Sequence, residues 1–511
     1  MAGESSSSGS ERSGSASSRL SKSKYLAGLQ CERRVWLQSH DDALASEWSA
    51  ATQAILDAGT EVGTRARELF PGGELVDEPP WEHAQAVART QRLVAEASRP
   101  AIFEAAFEHA GVRIRVDVLE RLSSGRWGLR EVKSSGSVKV QHLDDLAVQH
   151  FVLTGAGLDV VSSELIHVNT SYERGPDGID WERYFVRVEC SKDIQERLVD
   201  VPERVHSLLA VLSEPTPPEV APDRHCKNPH ECEFWAHCTR DKPEDWVFHL
   251  PRMSQDRYQD LVRQGQERIS ELPADVDLTP VQERVRDVVQ SGEPFVSSTL
   301  QAALADAGPP AWYLDFETTN PAIPQFEGTR PYQMIPFQWS LHRVDVDASL
   351  THAEFLAEGH EDPRPAFCES LLAALPDDGA AIHVYSRFEA TRLRELAEEF
   401  PSHAPGLDRI RGRLFDELEV VRRDVYHGDF GCSFSIKSVA PALAPGFGWD
   451  DLGEVSEGSE APVAWNRLAS GEAGPGETAR LREALLAYCK RDTLAMVKLH
   501  EGLTKLAGYC E

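Results

Sequence analysis

The segment Trp312-Tyr-Leu-Asp315-Phe-Glu317-Thr-Thr is an apolar run ending in two acids two residues apart. On a strand, residues i and i+2 face the same side, so a chain that folds around this segment brings Asp315 and Glu317 together, where they can share one divalent ion. The breaker Gly308-Pro309-Pro310 precedes it and predicts a strand over Ala311–Phe316. Two later segments carry further acids. Ala381-Ile-His-Val-Tyr-Ser-Arg-Phe388-Glu389 reads as a strand running into a helix that starts near Glu389. Leu485–Lys498 reads as a helix with Tyr488 and Asp492 at i, i+4, hence on one face. Four acids delivered by a strand, a strand–helix junction and a helix suit a two-metal site for in-line phosphoryl displacement. Mg²⁺ or Mn²⁺ fits these hard oxygen donors. Asp416 reads first as a helix N-cap and second as another acid of the set. Lys437, in a small-residue loop before a short helix, either reaches a phosphate or is solvated.

The first half holds a different constellation. Gly111-Val-Arg-Ile-Arg-Val-Asp117-Val-Leu alternates as a half-buried strand. A Ser-Ser-Gly hairpin leads to Trp127-Gly-Leu-Arg-Glu131-Val-Lys133, with Glu131 and Lys133 on one face. Asp117 and Glu131 are candidate metal ligands. Lys133 is positioned to activate water or stabilise a pentacovalent phosphate.

At 511 residues the chain exceeds one ordinary domain. Ser- and Gly-rich residues 1–19 read as a disordered tail and not a signal peptide. No stretch is apolar enough to span a bilayer, so a soluble, cytoplasmic protein with no membrane partner is expected. There, nine cysteines argue for free thiols or metal ligands before disulfides. The net charge of −30 excludes a broadly basic nucleic-acid binder. Local basic tracks remain: Arg113, Arg115, Arg130, Lys133 and Lys139, then Arg387, Arg392 and Arg394. Each is equally readable as solvated surface. Cys31 stands far from Cys226-x5-Cys232-x5-Cys238. Cys190, Cys368, Cys432, Cys489 and Cys510 have no such spacing and read as small packing residues.

The ordered motifs Asp315-x-Glu317, Phe388-Glu389 and Tyr488-x-x-x-Asp492 resemble those of the DEDD exonucleases, which have an RNase H-like fold, and Tyr488 resembles their tyrosine subtype. The resemblance implies that Asp315, Glu317, Glu389 and Asp492 hold metals and that Tyr488 orients the attacking water. One departure is that the second motif has Glu389 after Tyr385-Ser-Arg-Phe, where the family has Asp preceded by Asn. The one-plus-three cysteines resemble those of the iron–sulfur nucleases of the RecB/AddB group and the CRISPR-associated RecB-like exonucleases. That resemblance implies a 4Fe–4S cluster on Cys31, Cys226, Cys232 and Cys238. Zinc is the alternative, kept open by His225, His230 and His237 but lacking the usual Cys-x2–4-Cys pairs; unligated thiols are the third. The same resemblance, to PD-(D/E)XK nucleases with a restriction-endonuclease-like fold, implies roles for Asp117, Glu131, Lys133 and Gln149. It adds Glu61 as a metal ligand, against the plain reading of a helical surface glutamate. The whole chain resembles a family of uncharacterised prokaryotic RecB-like nucleases. The expectation is therefore an α/β protein: a RecB-like domain over 20–240, a mainly helical linker over 241–309, and an exonuclease-type domain over 310–511. Its substrate would be nucleic acid, DNA before RNA, degraded from 3′ ends. RNA processing, or a binding scaffold with one impaired domain, are the alternatives.

Overall fold

The computed structural model describes residues 19–508 apart from residue 124. The Ser-rich start and Cys510 lie outside the described residues. The architecture is mixed α/β, in two compact units. One comprises residues 19–47, Gly59–Asn169 and Trp181–Arg240; the other comprises Trp48–Ala58, Thr170–Asp180 and the chain from Asp241 onward.

The first unit is built on a seven-stranded sheet: β1 (Leu20–Ser21), β2 (Glu74–Leu75), β3 (Ala101–His109), β4 (Val112–Arg121), β5 (Trp127–Lys133), β6 (Val160–Val168) and β7 (Phe185–Glu189). The order is β2-β3-β4-β5-β6-β7, and β1 pairs in parallel with the first residues of β4. β4 follows the expected alternation, with Val112, Ile114, Val116 and Val118 buried and the residues between them half-buried. β5 matches the expected span, and all of it but Lys133 is buried. Its parallel neighbour β6 follows through the crossover helix Val140–Gly155, which carries Gln149. Helix Lys22–Gln30 approaches helix Gln195–Ser213 closely, because Gly28 has no side chain there. A Cβ at that position would lie 2.6 Å from a Leu208 methyl.

The second unit contains a five-stranded sheet: β9 (Ala311–Thr319), β10 (Ile335–Val344), β11 (Leu350–Leu356), β12 (Ala381–Val384) and β13 (Leu414–Asp416), ordered β11-β10-β9-β12-β13. β12 and β13 run parallel to β9, while β10 runs antiparallel. Residue parity on the central strand β9 decides what each side chain meets. Leu314 and Phe316 join the core of Phe367, Leu371 and Leu393. Ala311 and Tyr313 pack on Met496 and Val497 of the 32-residue helix Pro475–Leu506. Asp315 and Glu317 share the parity of Tyr313, so β9 aims them at that helix. The stretch 241–309 is helical over Gln255–Arg263 and Pro280–Ser291. It is part of this unit, however, and not a separate spacer. Its strand β8 (Phe295–Val296) pairs with β14 (Val425–Tyr426), and the Thr299 hydroxyl donates to Asp424 at 2.6 Å. Two-residue strands carry too little pattern to be read from sequence.

Gly28→Val should destabilise the first unit by about 1–3 kcal/mol, the usual cost of overpacking a filled contact. Urea denaturation monitored on the full chain would show it as a lowered midpoint for that unit's transition.

Candidate metal centres and a four-cysteine cleft

Helix Pro475–Leu506 and strand β9 together build an acid cluster in the second unit. Glu317 and Glu389 are buried, while Asp315 and Asp492 are half-buried. Glu389 sits in the first turn of helix Phe388–Glu399, within hydrogen-bonding reach of Asp315, and its Oε2 atom has no partner. Asp492 accepts a hydrogen bond of 2.7 Å from the Trp449 indole, and the Tyr488 hydroxyl lies close enough to interact with it. Four like charges so placed repel strongly; a pair at 4 Å costs about 4 kcal/mol at an effective dielectric of 20. Their proton affinities respond. Burial, then Asp492 and Glu317, push Asp315 well above the ordinary carboxylate range. Burial, then Asp492 and Glu389, do the same to Glu317. Burial raises Glu389 to about 7 and Asp492 to about 6. The Tyr488 phenol is also raised, by burial and then by Asp492, so it stays protonated and able to donate.

The sequence had not marked three neighbours of this cluster. The Cys489 thiol lies 3.7 Å from Asp315 Oδ2, and its sulfur, Asp315 and Glu317 offer ligand atoms within 4.8 Å of one another. Trp449 and Glu457 are the other two. Lys437 does not stand free: its ammonium pairs with Glu457 at 2.9 Å and lies 5.2 Å from the centre of the Tyr488 ring. Asp416 caps helix Glu417–Asp424 by accepting from the Leu418 amide at 3.0 Å, as its cap reading expects. Arg387, Arg392 and Arg394 each pair with a glutamate, namely Glu419, Glu395 and Glu398.

In the first unit, Asp117, Glu131, Lys133 and Gln149 come together. Glu131 is buried and accepts from Lys133 at 2.6 Å, from Lys22 at 2.8 Å and from the Gln149 amide at 2.7 Å. Asp117 accepts from the Val132 amide at 2.7 Å. Burial and then Glu131 push Asp117 up to about 7. Glu131 itself moves down, because Lys133 and Lys22 together outweigh its burial. Two members had escaped the sequence reading. Asp145 accepts from Lys133 at 2.6 Å and from Gln149 at 2.9 Å, and its i, i+4 spacing from Gln149 was an available signal. Lys22 had none, since it arrives from the far N-terminal end. Glu104 is a third neighbour. It is a non-glycine at φ 54°, opposite Asp117 where the β3–β4 register skips a pair, and its charge raises Asp117. Glu61 stands apart from this group: its side chain is 57% exposed and its ion pair is with Arg65, one turn along its own helix. Arg130 is not a surface phosphate contact either, because it is buried between Glu120 and Glu164.

Cys31, Cys226, Cys232 and Cys238 line one small cleft between helix Glu32–His40 and the 224–239 segment. Gln30 donates to the carbonyls of His225 and His230, and Arg34 pairs with Glu233 at 2.8 Å, which locks the two distant segments together. All four thiols are free. Burial raises Cys226, Cys238 and Cys232, the last to about 12. A tetrahedral zinc–thiolate site needs sulfurs about 3.8 Å apart, given Zn–S near 2.3 Å. No three of these sulfurs lie within 4.8 Å of one another among the described residues. Cys190, Cys368 and Cys489 are buried, the last against the acid cluster and not as mere packing, and Cys432 is half-buried.

The raised acids of the second unit set a pH dependence. Their folded-state affinities lie above those of the unfolded chain. The stabilisation is therefore complete below about 4.5 and is lost as pH rises through about 6–7. In chelator, the second unit should melt at a lower temperature at pH 8 than at pH 5.5, and Mg²⁺ should reverse the loss at pH 8. Scanning calorimetry in EDTA across this range is the check; a melting temperature that rises with pH would contradict it.

Residues 312–435 match the family model of DUF2779, a domain of unknown function. The match contains Asp315, Glu317 and Glu389 but ends before Tyr488 and Asp492. No curated protein matches the chain. Among solved structures, the chain is similar to the crystal structure of SSO0001 at 15% identity and a TM-score of 0.23, over 44% of this chain and 87% of that one. A similarity of that extent carries no argument about fold or function.

Proposed function

We propose that the chain is a metal-dependent nuclease with two centres, the second unit trimming nucleic acid from 3′ ends. The observation that carries this reading is the convergence of Asp315, Glu317, Glu389 and Asp492 on one place, with Tyr488 beside Asp492. Four carboxylates against one nearby lysine leave a deficit of positive charge that two divalent ions would fill, and all four donors are hard oxygens. When bound, such ions would supply Lewis acidity and an activated hydroxide. The chain's own contribution is orientation. Tyr488, held protonated beside Asp492, would orient an attacking water. Trp449 fixes the Asp492 carboxylate through its second-sphere bond. The half-buried Asp315 and Asp492 mark the side from which a phosphodiester approaches. Mg²⁺ or Mn²⁺ and an RNase H-like, DEDD tyrosine-type assignment fit this arrangement, with DNA the favoured substrate.

For the first unit we propose a RecB-like, restriction-endonuclease-like centre. There Asp117, Glu131, Asp145 and the nearby Glu104 face Lys22 and Lys133, a smaller deficit that one divalent ion would offset. Asp117 and Glu131 would hold it, Lys133 would face the scissile phosphate and Gln149 fixes Glu131. The cysteine cleft would hold a 4Fe–4S cluster, and Arg33 and Arg34 nearby suit an anionic group.

Full-length protein prepared without oxygen should shorten 3′-labelled single strands in Mg²⁺ or Mn²⁺. Asp315→Asn and Asp492→Asn should each slow this by about a hundredfold or more, the scale of a lost transition-state stabiliser. Tyr488→Phe should slow trimming while metal binding persists. Wild-type rates in both aspartate variants would sink the assignment. Separately, the purified protein should contain iron and acid-labile sulfide, and Cys226→Ser should lose both. Stoichiometric zinc without iron would overturn the iron–sulfur proposal and leave the exonuclease reading standing.

A further inference from the structure

Behind the acid cluster, the same two elements bury a second group of ligating side chains. Tyr313 precedes Asp315 by two residues on β9, and His500 follows Asp492 by two turns on helix Pro475–Leu506. His383 on β12 and Glu417, the first residue of helix Glu417–Asp424, complete the set. His383, Glu417 and His500 are all buried, and each offers a ligand atom within 4.8 Å of the other two. We propose that these three side chains form a structural zinc site, distinct from both nuclease centres, that fastens the long helix to the sheet.

The hydrogen bonds argue for ligands and not for an ordinary polar core. His383 Nε2 lies 2.7 Å from the Ala307 carbonyl, which can only accept, so Nε2 carries the proton. Nδ1 of His383 therefore presents a lone pair to Glu417 Oε1, 2.7 Å away. His500 Nδ1 is 2.7 Å from the Tyr313 hydroxyl, which can donate or accept; where it accepts from Nδ1, the lone pair is on Nε2. Metal-bound imidazoles are held in this way, one nitrogen fixed by an oxygen and the other turned to the ion. Glu417 Oε2 is buried with no partner at all. Buried polar atoms are seldom left so, and a cation would satisfy this one. Because His383 Nδ1 accepts, the bond to Glu417 requires a proton from the carboxyl. That proton occupies the place of the cation and would leave when the cation binds.

Two imidazole nitrogens and a carboxylate select a borderline ion such as Zn²⁺ over Mg²⁺ or Ca²⁺. Zinc bonds to these atoms run about 2.0–2.2 Å, which sets neighbouring ligand atoms about 3.3–3.6 Å apart, so the His383–Glu417 pair, now 2.7 Å apart, would open as the ion enters. The site is shut off from water, which makes the ion structural and not catalytic.

The test compares full-length wild type with His500→Gln and Tyr313→Phe. Each is equilibrated with zinc in excess Mg²⁺, which occupies the carboxylate clusters, and zinc, iron and sulfide are then counted per chain. Wild type should hold one more zinc than His500→Gln, with iron and sulfide unchanged. Tyr313→Phe keeps every ligand but frees His500 Nδ1, and should bind that zinc roughly 10–100-fold more weakly. Equal zinc in wild type and His500→Gln would overturn the proposal. Should His500→Gln fail to fold, Tyr313→Phe decides alone, and an unchanged zinc affinity there would overturn it equally.

Discussion

Carboxylates that repel one another are held largely out of water at two places in this chain, and much else in each unit is arranged to make that tolerable. In the second unit, β9 is central in its sheet and covered on both faces, so its odd-numbered side chains have nowhere to go but toward helix Pro475–Leu506. The sheet thus forces Asp315 and Glu317 against Asp492, and the local remedy is to retain protons or take up cations. The first unit meets the same difficulty with lysines. Lys22 and Lys133 both reach Glu131, and Lys133 also bridges to Asp145. One centre is charge-poor without metal; the other is partly neutralised by the chain itself.

That difference also explains what could be read from the sequence. Asp315, Glu317, Glu389, Tyr488 and Asp492 were legible because strand and helix periodicities place them without knowledge of the tertiary fold. Asp117, Glu131, Lys133 and Gln149 were legible for the same reason on β4, β5 and the crossover helix. Lys22 was not, because its partner lies 109 residues away and β1, which delivers it, is two residues long. His383 and His500 were illegible likewise: each sits in an apolar pattern where a histidine looks like a core substitution, and only the packing of β12 on the long helix brings them together. Glu61 shows the opposite error. A glutamate in a helix near a resemblance motif invites a role, yet its side chain points to solvent and to Arg65.

The domain boundaries follow similar logic. Prolines and helical periodicity made residues 241–309 look like a spacer. The β8–β14 pairing and the Ala307 carbonyl beneath His383 make them part of the second unit's framework. Periodicity reports which face an element buries but not which partner covers it.

The cysteine cleft has a consequence for how the protein is made. Cys31 leaves the ribosome about 195 residues before Cys226. At ~5–20 residues per second, that is roughly 10–40 s of synthesis. Over that interval the N-terminal helices lack the segment that closes the cleft around them, and β1 lacks its strand partner until β4 has emerged. Closure of the first unit therefore waits for residues 226–238, made just before the midpoint of the 511-residue chain, and a chain stalled before them would carry its first thiol unsheltered.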